Sequence, residues 1–271
     1  HVPGSISAAI RLKFPPSSSD LSESSRMKVS IIMPAYNRED FIEPAIRSLL
    51  RQKEDAELDI IVVDDGSTDR TPEIVAALGK KDSSIRLIRQ ARSGVAVARN
   101  TGLDNLPADV GLITFLDSDD LSMPGRFAAE IPYFVSDPEL ALTYSRLIIS
   151  EDIDDETLTP RAKSNPIHGI SLTTALFRKS ALDAVGRFDE TFKQAEDLDF
   201  LTRLFEQPLK YLLVDNVSIV YRRHSANTTN DKKENHWYAK RALLRSAQRR
   251  RRDPKLRNMP RFFNSAALRN A

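Results

Sequence analysis

The chain has 271 residues, of which 41% are hydrophobic and 29% charged, with no cysteine. This is a globular composition with room for a large core, and it excludes a disulfide scaffold, a thiolate nucleophile and a Cys-ligated metal. No apolar run approaches the roughly 18 residues needed to cross a bilayer, and the net charge of +2 conceals an asymmetry. From Lys232 to Ala271 there are 13 Lys and Arg against 2 Asp and Glu, a surplus of +11, while the preceding residues carry 27 against 36, or −9. An acidic body seeks cations, and a basic tail seeks anions.

Residues 1–26 are Ser-rich with little to bury and read as a disordered leader or as residues foreign to the fold. They lack the basic start and long apolar core of a signal peptide. From Val29 strands and helices alternate. Val29 to Met33 is a short apolar strand, and Phe41, Ile42, Ala45, Ile46, Leu49 and Leu50 recur at helical spacing. Leu58 to Val63 suits a strand covered on both faces. Thr71-Pro72-Glu73 opens a helix, with proline in the first turn where its missing N–H costs nothing. Ile85 to Ile88 reads as a strand, Val95 to Leu103 as a helix and Gly111 to Leu116 as a strand. Such alternation implies parallel strands joined by right-handed crossovers, a doubly wound nucleotide-binding sheet. Further on, Glu151 to Asn165 reads as a polar loop, Thr173 to Val185 and Glu196 to Glu206 as helices, and Leu209 to Val214 and Val217 to Tyr221 as two strands. His236 to Arg252 is a basic helix ended by Asp253-Pro254.

Ligands of open parallel sheets bind beyond the carboxyl ends of the strands. Three polar clusters fall there: Pro34-Ala35-Tyr36-Asn37, Asp64-Asp65-Gly66-Ser67-Thr68-Asp69 and Asp117-Ser118-Asp119-Asp120. Three carboxylates within four residues need an offsetting cation or donors, and their oxygens suit Mg²⁺ or Mn²⁺. Aspartate also caps helices and turns, so an acidic turn is the competing reading.

These segments resemble the family 2 glycosyltransferases. The resemblance rests on Val29 to Asn37, Val62 to Asp69, Gly94 to Gly102, Phe115 to Asp120, Val185 to Glu190 and Ala195 to Phe200, six pieces in family order covering about residues 28 to 230. It implies an α/β fold of the GT-A, Rossmann-like type, with a mostly parallel central sheet, helices on both faces and a basic C-terminal helical extension. The expected division is 27–231 for the glycosyltransferase domain, split into a nucleotide-binding half, 27–125, and an acceptor-binding half, 126–231, followed by the extension, 232–271.

The resemblance also implies roles. Tyr36 corresponds to the residue packing on the nucleotide base, with Pro34, Ala35 and Asn37 shaping the pocket. Asp65 corresponds to the carboxylate that meets the base, supported by Asp64. Asp117-Ser118-Asp119-Asp120 resembles a D-x-D-type signature in either of two registers, with Asp119 at the ribose or metal and Asp119 or Asp120 at the metal and diphosphate, a choice the sequence leaves open. Arg99 and Asn100 correspond to residues on the diphosphate side, and Asp197 to the catalytic base. Arg222, Arg223 and His224 are candidates for the diphosphate, the metal or, with Asn227-Thr228-Thr229, a lid. The implied reaction is a single displacement that inverts the anomeric centre. It moves a sugar from a nucleotide sugar, UDP-linked by resemblance, to an acceptor hydroxyl with Mn²⁺ or Mg²⁺. The acceptor is expected to be a carbohydrate or a lipid-linked saccharide. The expected location is cytoplasmic, with the basic tail, including Arg249-Arg250-Arg251-Arg252, Trp237, Leu243 and Leu244, offered to an anionic membrane surface; a solvated basic helix is the competing reading. Glu196 and Asp199 are expected to raise the pKa of Asp197. A sugar-phosphate nucleotidyltransferase fits less well, because no Gly-rich basic segment follows the first strand. No nucleic-acid partner is expected, since no nucleic-acid-binding motif is recognisable.

Overall fold

A computed structural model describes residues 27–154, 156–162, 164–225 and 232–260. The expected leader, the Asn227-Thr228-Thr229 segment and the last residues of the tail lie outside the described residues.

The first half alternates as its sequence dictates: β1 (Lys28–Ala35), α1 (Ile42–Leu50), β2 (Glu57–Asp64), α2 (Thr71–Lys81), β3 (Ile85–Arg89), α3 (Val95–Asp104) and β4 (Leu112–Phe115). β1 pairs in parallel with β2 on one side and β4 on the other, and β3 extends β2. Side chains alternate across each strand. Val29, Ile31, Met33, Leu58, Ile60 and Val62 therefore face the layer holding α1 and α2, while Ile32, Ile61 and Val63 face the layer holding α3. Both faces are covered, which is why these strands read as continuous apolar runs. α3 approaches β1 closely at Gly102, where a Cβ would lie 2.4 Å from Ile32 Cγ2.

The second half completes one eight-stranded sheet ordered β3-β2-β1-β4-β9-β6-β10-β5. It contains β5 (Leu121–Ser122), α4 (Arg126–Ser136), β6 (Leu140–Ser150), a small hairpin of β7 (Ile153–Asp154) and β8 (Thr159–Pro160), β9 (Ala175–Arg178), α5 (Lys179–Val185), α6 (Glu196–Glu206), β10 (Lys210–Arg222) and α7 (Lys232–Arg252). β6 and β10 are parallel, whereas β9 and β5 run antiparallel to their neighbours. The fold is thus the α/β architecture with a mostly parallel sheet that the sequence implies. α1, α2 and α4 cover one face; α3, α5, α6 and α7 cover the other.

Three local expectations are corrected. The helix read over Thr173 to Val185 is a 3₁₀ turn at Leu172–Thr174, then β9, then α5. β9 bridges β4 and β6, and its partners lie some 30 and 60 residues away in sequence, so tertiary pairing overrides local helical spacing. The two strands read on either side of Asp215-Asn216 are one strand, β10, whose pairing with β6 shifts register between Leu213 and Val217. Arg146 fills that irregularity by donating from Nε to the Asp215 carbonyl at 2.8 Å. The polar loop at Glu151 to Asn165 carries the β7–β8 hairpin.

Candidate active site

The three polar clusters meet beyond the carboxyl ends of β1, β2 and β4. Pro34 and Ala35 end β1, and the Ala35 carbonyl accepts the Asp65 N–H at 2.8 Å. Asn37 adopts φ +50°, and its side-chain oxygen accepts the Thr68 N–H at 2.9 Å, locking the first loop to the second. Asp64 is buried; it accepts the Ser67 N–H at 3.2 Å and Arg89 Nε at 3.1 Å. Gly66, at φ +76°, lets this turn pass the backbone of Arg92, which a Cβ would meet at 2.8 Å.

Asp65 is also buried, and its carboxylate accepts four donors. Gln90 Nε2 and the Ser93 and Gly94 N–H groups each lie at 2.8 Å, and Arg92 completes the set. The Arg92 guanidinium lies 3.6 Å from the centroid of the Tyr36 ring, so Tyr36, Arg92 and Asp65 form one stacked, charged wall. The residues expected at the base do come together. Arg92 and Gln90 are additions; their signal is the Arg89-Gln90-Ala91-Arg92 run directly after a strand that ends at the site.

The Asp117 to Asp120 cluster divides its tasks. Asp117 Oδ1 accepts Arg99 Nη2 at 2.8 Å and remains about a third exposed. Ser118 is buried. Asp119 Oδ2 faces His224 Nε2 at 3.1 Å and Arg38 Nε at 3.2 Å. Asp120 is buried, with Oδ1 on the Arg222 N–H at 2.9 Å and Oδ2 without a hydrogen-bond partner. Burial, reinforced by the charges of Asp119 and Asp117, pushes the Asp120 carboxyl well above the usual range. His224 stacks on Phe41, with centroids 4.5 Å apart, and Arg222 donates from Nε to the Asp119 carbonyl. Arg223 points outward, 3.6 Å from Glu151. Arg38 and Phe41 were not singled out by sequence, yet they directly follow the Tyr36-Asn37 turn.

Arg99 ties the halves of the site together. It is buried, and its guanidinium bonds Asp117 on one side and Glu196 on the other. Burial opposes its charge, but Asp117, Glu196 and Asp197 outweigh that effect and hold it firmly cationic. Asn100 departs from its expected place on the diphosphate side. Its amide donates to the Phe188 carbonyl at 3.1 Å and to Glu190 at 2.9 Å, while its oxygen accepts the Phe188 N–H, so it fastens the turn after Gly186.

Asp197 occupies the first turn of α6, behind Ala195 at φ +54°, a left-handed conformation uncommon for a residue with a Cβ. Its Oδ1 accepts the Leu198 N–H at 2.7 Å. Burial raises its pKa, opposed by Arg99 and aided by the charge of Asp117. Glu196 is pushed up to about 7, chiefly by burial, with Arg99 opposing and Asp197 assisting. Asp199 does not assume the role expected of it beside Asp197, because it pairs with Arg203 Nε at 2.8 Å.

α7 is docked rather than free. Tyr238, Ala239, Ala242 and Ser246 are buried, and the helix runs alongside α6. Buried Glu206 accepts Ser246 Oγ at 2.5 Å and Arg249 Nε at 2.7 Å, while Arg245 pairs with Asp189.

The pattern described as Glycosyl transferase family 2 matches residues 30–188. A glycosyltransferase named EpsJ, itself uncharacterized, from Bacillus subtilis is 49% identical over 99 residues, 36% of this chain and 28% of that protein. The minor teichoic acid biosynthesis protein GgaA of B. subtilis is 28% identical over 211 residues, 72% of this chain and 47% of that protein. The chain therefore spans less than half the length of either relative. Among solved structures, S. aureus TarS 1–349 superposes with a TM-score of 0.59 at 22% identity, covering 80% of this chain and 66% of that one; TarS structures with UDP-GlcNAc and with UDP are also matched. The mannosyltransferase PcManGT of Pyrobaculum calidifontis, in complex with GDP-Man and Mn²⁺, superposes at 0.62 with 19% identity, covering 91% of this chain and 69% of that one. At such identities the likeness establishes the GT-A fold alone. With the family pattern spanning more than half of its residues, the chain belongs to glycosyltransferase family 2.

Proposed function

We propose that the protein transfers a sugar from a UDP-linked donor to an acceptor hydroxyl by a single, inverting displacement. The observation that carries this reading is the Arg99 bridge. One buried guanidinium joins Asp117, on the donor side, to Glu196, the neighbour of Asp197. The donor carboxylates and the candidate base thus belong to one electrostatic unit.

The Tyr36–Arg92–Asp65 wall is where the nucleobase packs. An aromatic face and a set of fixed polar groups select a flat, hydrogen-bonding ring. TarS, whose fold this chain shares, has been solved with UDP-GlcNAc, which supports a uridine nucleotide. Asp64 and the backbone of Pro34, Ala35 and Asn37 hold the wall in place.

A divalent cation fits the residues present. Among the described residues no three His, Asp or Glu side chains form a closed metal site. Asp119 and His224 nevertheless face each other at 3.1 Å, and buried Asp120 Oδ2 lacks a hydrogen-bond partner. Carboxylate oxygens suit Mn²⁺ or Mg²⁺ with coordination positions left for phosphate and water, and an imidazole favours Mn²⁺ of the two. Asp119 and His224 would hold the ion, with Asp120 beside them. When bound, it offsets the negative charge that gathers on the departing diphosphate. Arg38 and Arg222, on the same carboxylate cluster, add fixed positive charge.

Asp197 takes the proton of the attacking hydroxyl. Burial raises its basicity, while Arg99 keeps the cluster from neutralising outright. Glu196 positions Arg99 and does not touch the reacting atoms. The acceptor is a carbohydrate or a lipid-linked saccharide.

The test measures nucleoside diphosphate release and product anomer for a panel of sugar nucleotides, with and without Mn²⁺ or Mg²⁺. Metal-dependent turnover of a UDP-sugar with inversion is expected, and Asp197→Asn should abolish transfer while donor binding persists. Unchanged turnover in that variant, or a retained anomer, would overturn the assignment.

A further inference from the structure

The charge of α7 is distributed by face. Arg241 donates to Thr191, Arg245 pairs with Asp189, Arg249 with Glu206, and Arg250 approaches Glu206 at 3.7 Å. Of the four consecutive arginines that the sequence offers to a membrane, Arg249 and Arg250 are therefore turned toward body carboxylates. The outer face carries a different set. Trp237 is 58% exposed and Leu244 54%, among the few large apolar side chains that are exposed in the described residues. They are seven residues apart, so they share one stripe. Lys233, Lys240 and Arg251 fall within about 60° of that stripe, are exposed, and form no ion pair among the described residues. From Lys233 to Arg251 the stripe is about 27 Å long.

We propose that this outer face of α7 rests on an anionic lipid surface, with Trp237 and Leu244 at the headgroup boundary and Lys233, Lys240 and Arg251 on lipid phosphates. The stripe lies along a helix whose opposite side is fixed to the body, and Lys233, Trp237 and Lys240 line, with Lys232 and His236, an open depression on that surface. Indole and leucine flanked by lysines is the composition of an interfacial helix. Unpaired cations beside exposed apolar groups gain from anionic headgroups what they lack from the protein. Among the described residues no helix is long and apolar enough to cross a membrane. The first turn of α7 adjoins the start of α6, since Gln194 Nε2 donates to Glu234 at 3.0 Å, three residues before Asp197. A face seated on lipid would hold the candidate base near the bilayer, where a lipid-linked acceptor presents its hydroxyl. The surface itself does not depend on the transfer reading.

Trp237 is the sole tryptophan, so its fluorescence reports this contact directly. Titration of the full chain with phosphatidylglycerol vesicles at low salt should shift the emission to the blue, and phosphatidylcholine vesicles should not. Added salt should reverse the shift. Lys233→Ala and Lys240→Ala should each weaken vesicle affinity roughly fivefold, and together roughly 25-fold, with circular dichroism and vesicle-free release of nucleoside diphosphate unchanged. Trp237→Ser, followed by flotation, should reduce the lipid-bound fraction. Equal response to both lipids, or insensitivity to the lysine substitutions, would overturn the proposal. So would an equal response to soluble glycerol phosphate, which would mark a small-anion pocket instead. Deleting α7 is not a usable test, because Tyr238, Ala242 and Ser246 are part of the core.

Discussion

Replacing Arg99 with methionine isolates the electrostatic unit at the centre of the site. The substitution keeps much of the buried volume and removes the cation, leaving Glu196, which is 7% exposed, beside Asp197 and Asp117 without compensation. Breaking a buried pair from one side costs about 3–5 kcal/mol. The low end applies here for two reasons. Arg99 Nε has no hydrogen-bond partner even in the intact protein, and Asp117 is about a third exposed and can turn to water. The expected cost near pH 8 is therefore about 3 kcal/mol. The sign of its pH dependence follows from protonation. Glu196 already titrates near 7 rather than 4.5, and loss of Arg99, which opposes that rise, pushes it higher. Between 4.5 and the folded value the folded state holds more protons than the unfolded one, so stability falls as pH rises through that window. Urea unfolding at pH 5 should thus show a cost reduced to about 1–2 kcal/mol, reflecting lost hydrogen bonds alone. Arg99→Met/Glu196→Gln should recover more than half of the loss at pH 8 without restoring transfer. A cost below about 1 kcal/mol that is equal at both pH values would refute the reasoning.

Gly102→Ala should lower the melting temperature by several degrees, since the new methyl meets Ile32 at 2.4 Å and overpacking of this kind costs about 1–3 kcal/mol; an unchanged transition would mean that α3 can move off β1 freely. Because burial raises Asp197, the acid limb of kcat/KM should lie above its ordinary 3.8, with rate lost as pH falls through the raised value; a limb at or below that value counts against Asp197 as the base. His224→Ala should raise the Mn²⁺ concentration for half-maximal turnover by about tenfold or more, while UDP affinity in the absence of metal changes little. An unaltered metal requirement would remove His224 from the proposed metal site.

The nucleotide half was legible because each of its elements is locally determined. β1 and β2 are covered on both faces and so carry near-continuous β-branched and apolar runs, while α1 announces itself by its spacing. The polar clusters then fall at strand ends by topology alone. β9 was illegible for the opposite reason. Ala175, Leu176, Phe177, Ala181, Leu182 and Val185 satisfy helical spacing, and only pairing with β4 and β6 makes the first three a strand. The long strands of the second half pair with each other across register shifts, which hide any period. At the site, residues after strand ends were found wherever they formed an acidic or aromatic cluster. Arg38 and Arg92 were passed over because a single arginine in a loop carries no pattern until its carboxylate is known. Asn100 was misplaced because helix spacing gives its turn but not which of its neighbours satisfies a buried amide.

The charge asymmetry shows why direction matters more than count. A surplus of +11 in the tail suggests an anionic partner, yet an arginine on the inner face of α7 is no more available to a membrane than one in the core. Arg245 and Arg249 belong energetically to Asp189 and Glu206, and through them the basic helix neutralises part of the −9 body. That docking is what gives the remaining cations a meaning. A free basic helix could rotate any face toward any anion, and its affinity would be unspecific. A helix pinned by buried Glu206 and Ser246 can present only one stripe, at one orientation relative to α6. Hence a substitution that unlocks the inner face, such as Glu206→Gln, should act on more than stability. It should blunt the difference in vesicle affinity between outer-face and inner-face lysine or arginine variants, because the helix would no longer be compelled to keep them apart.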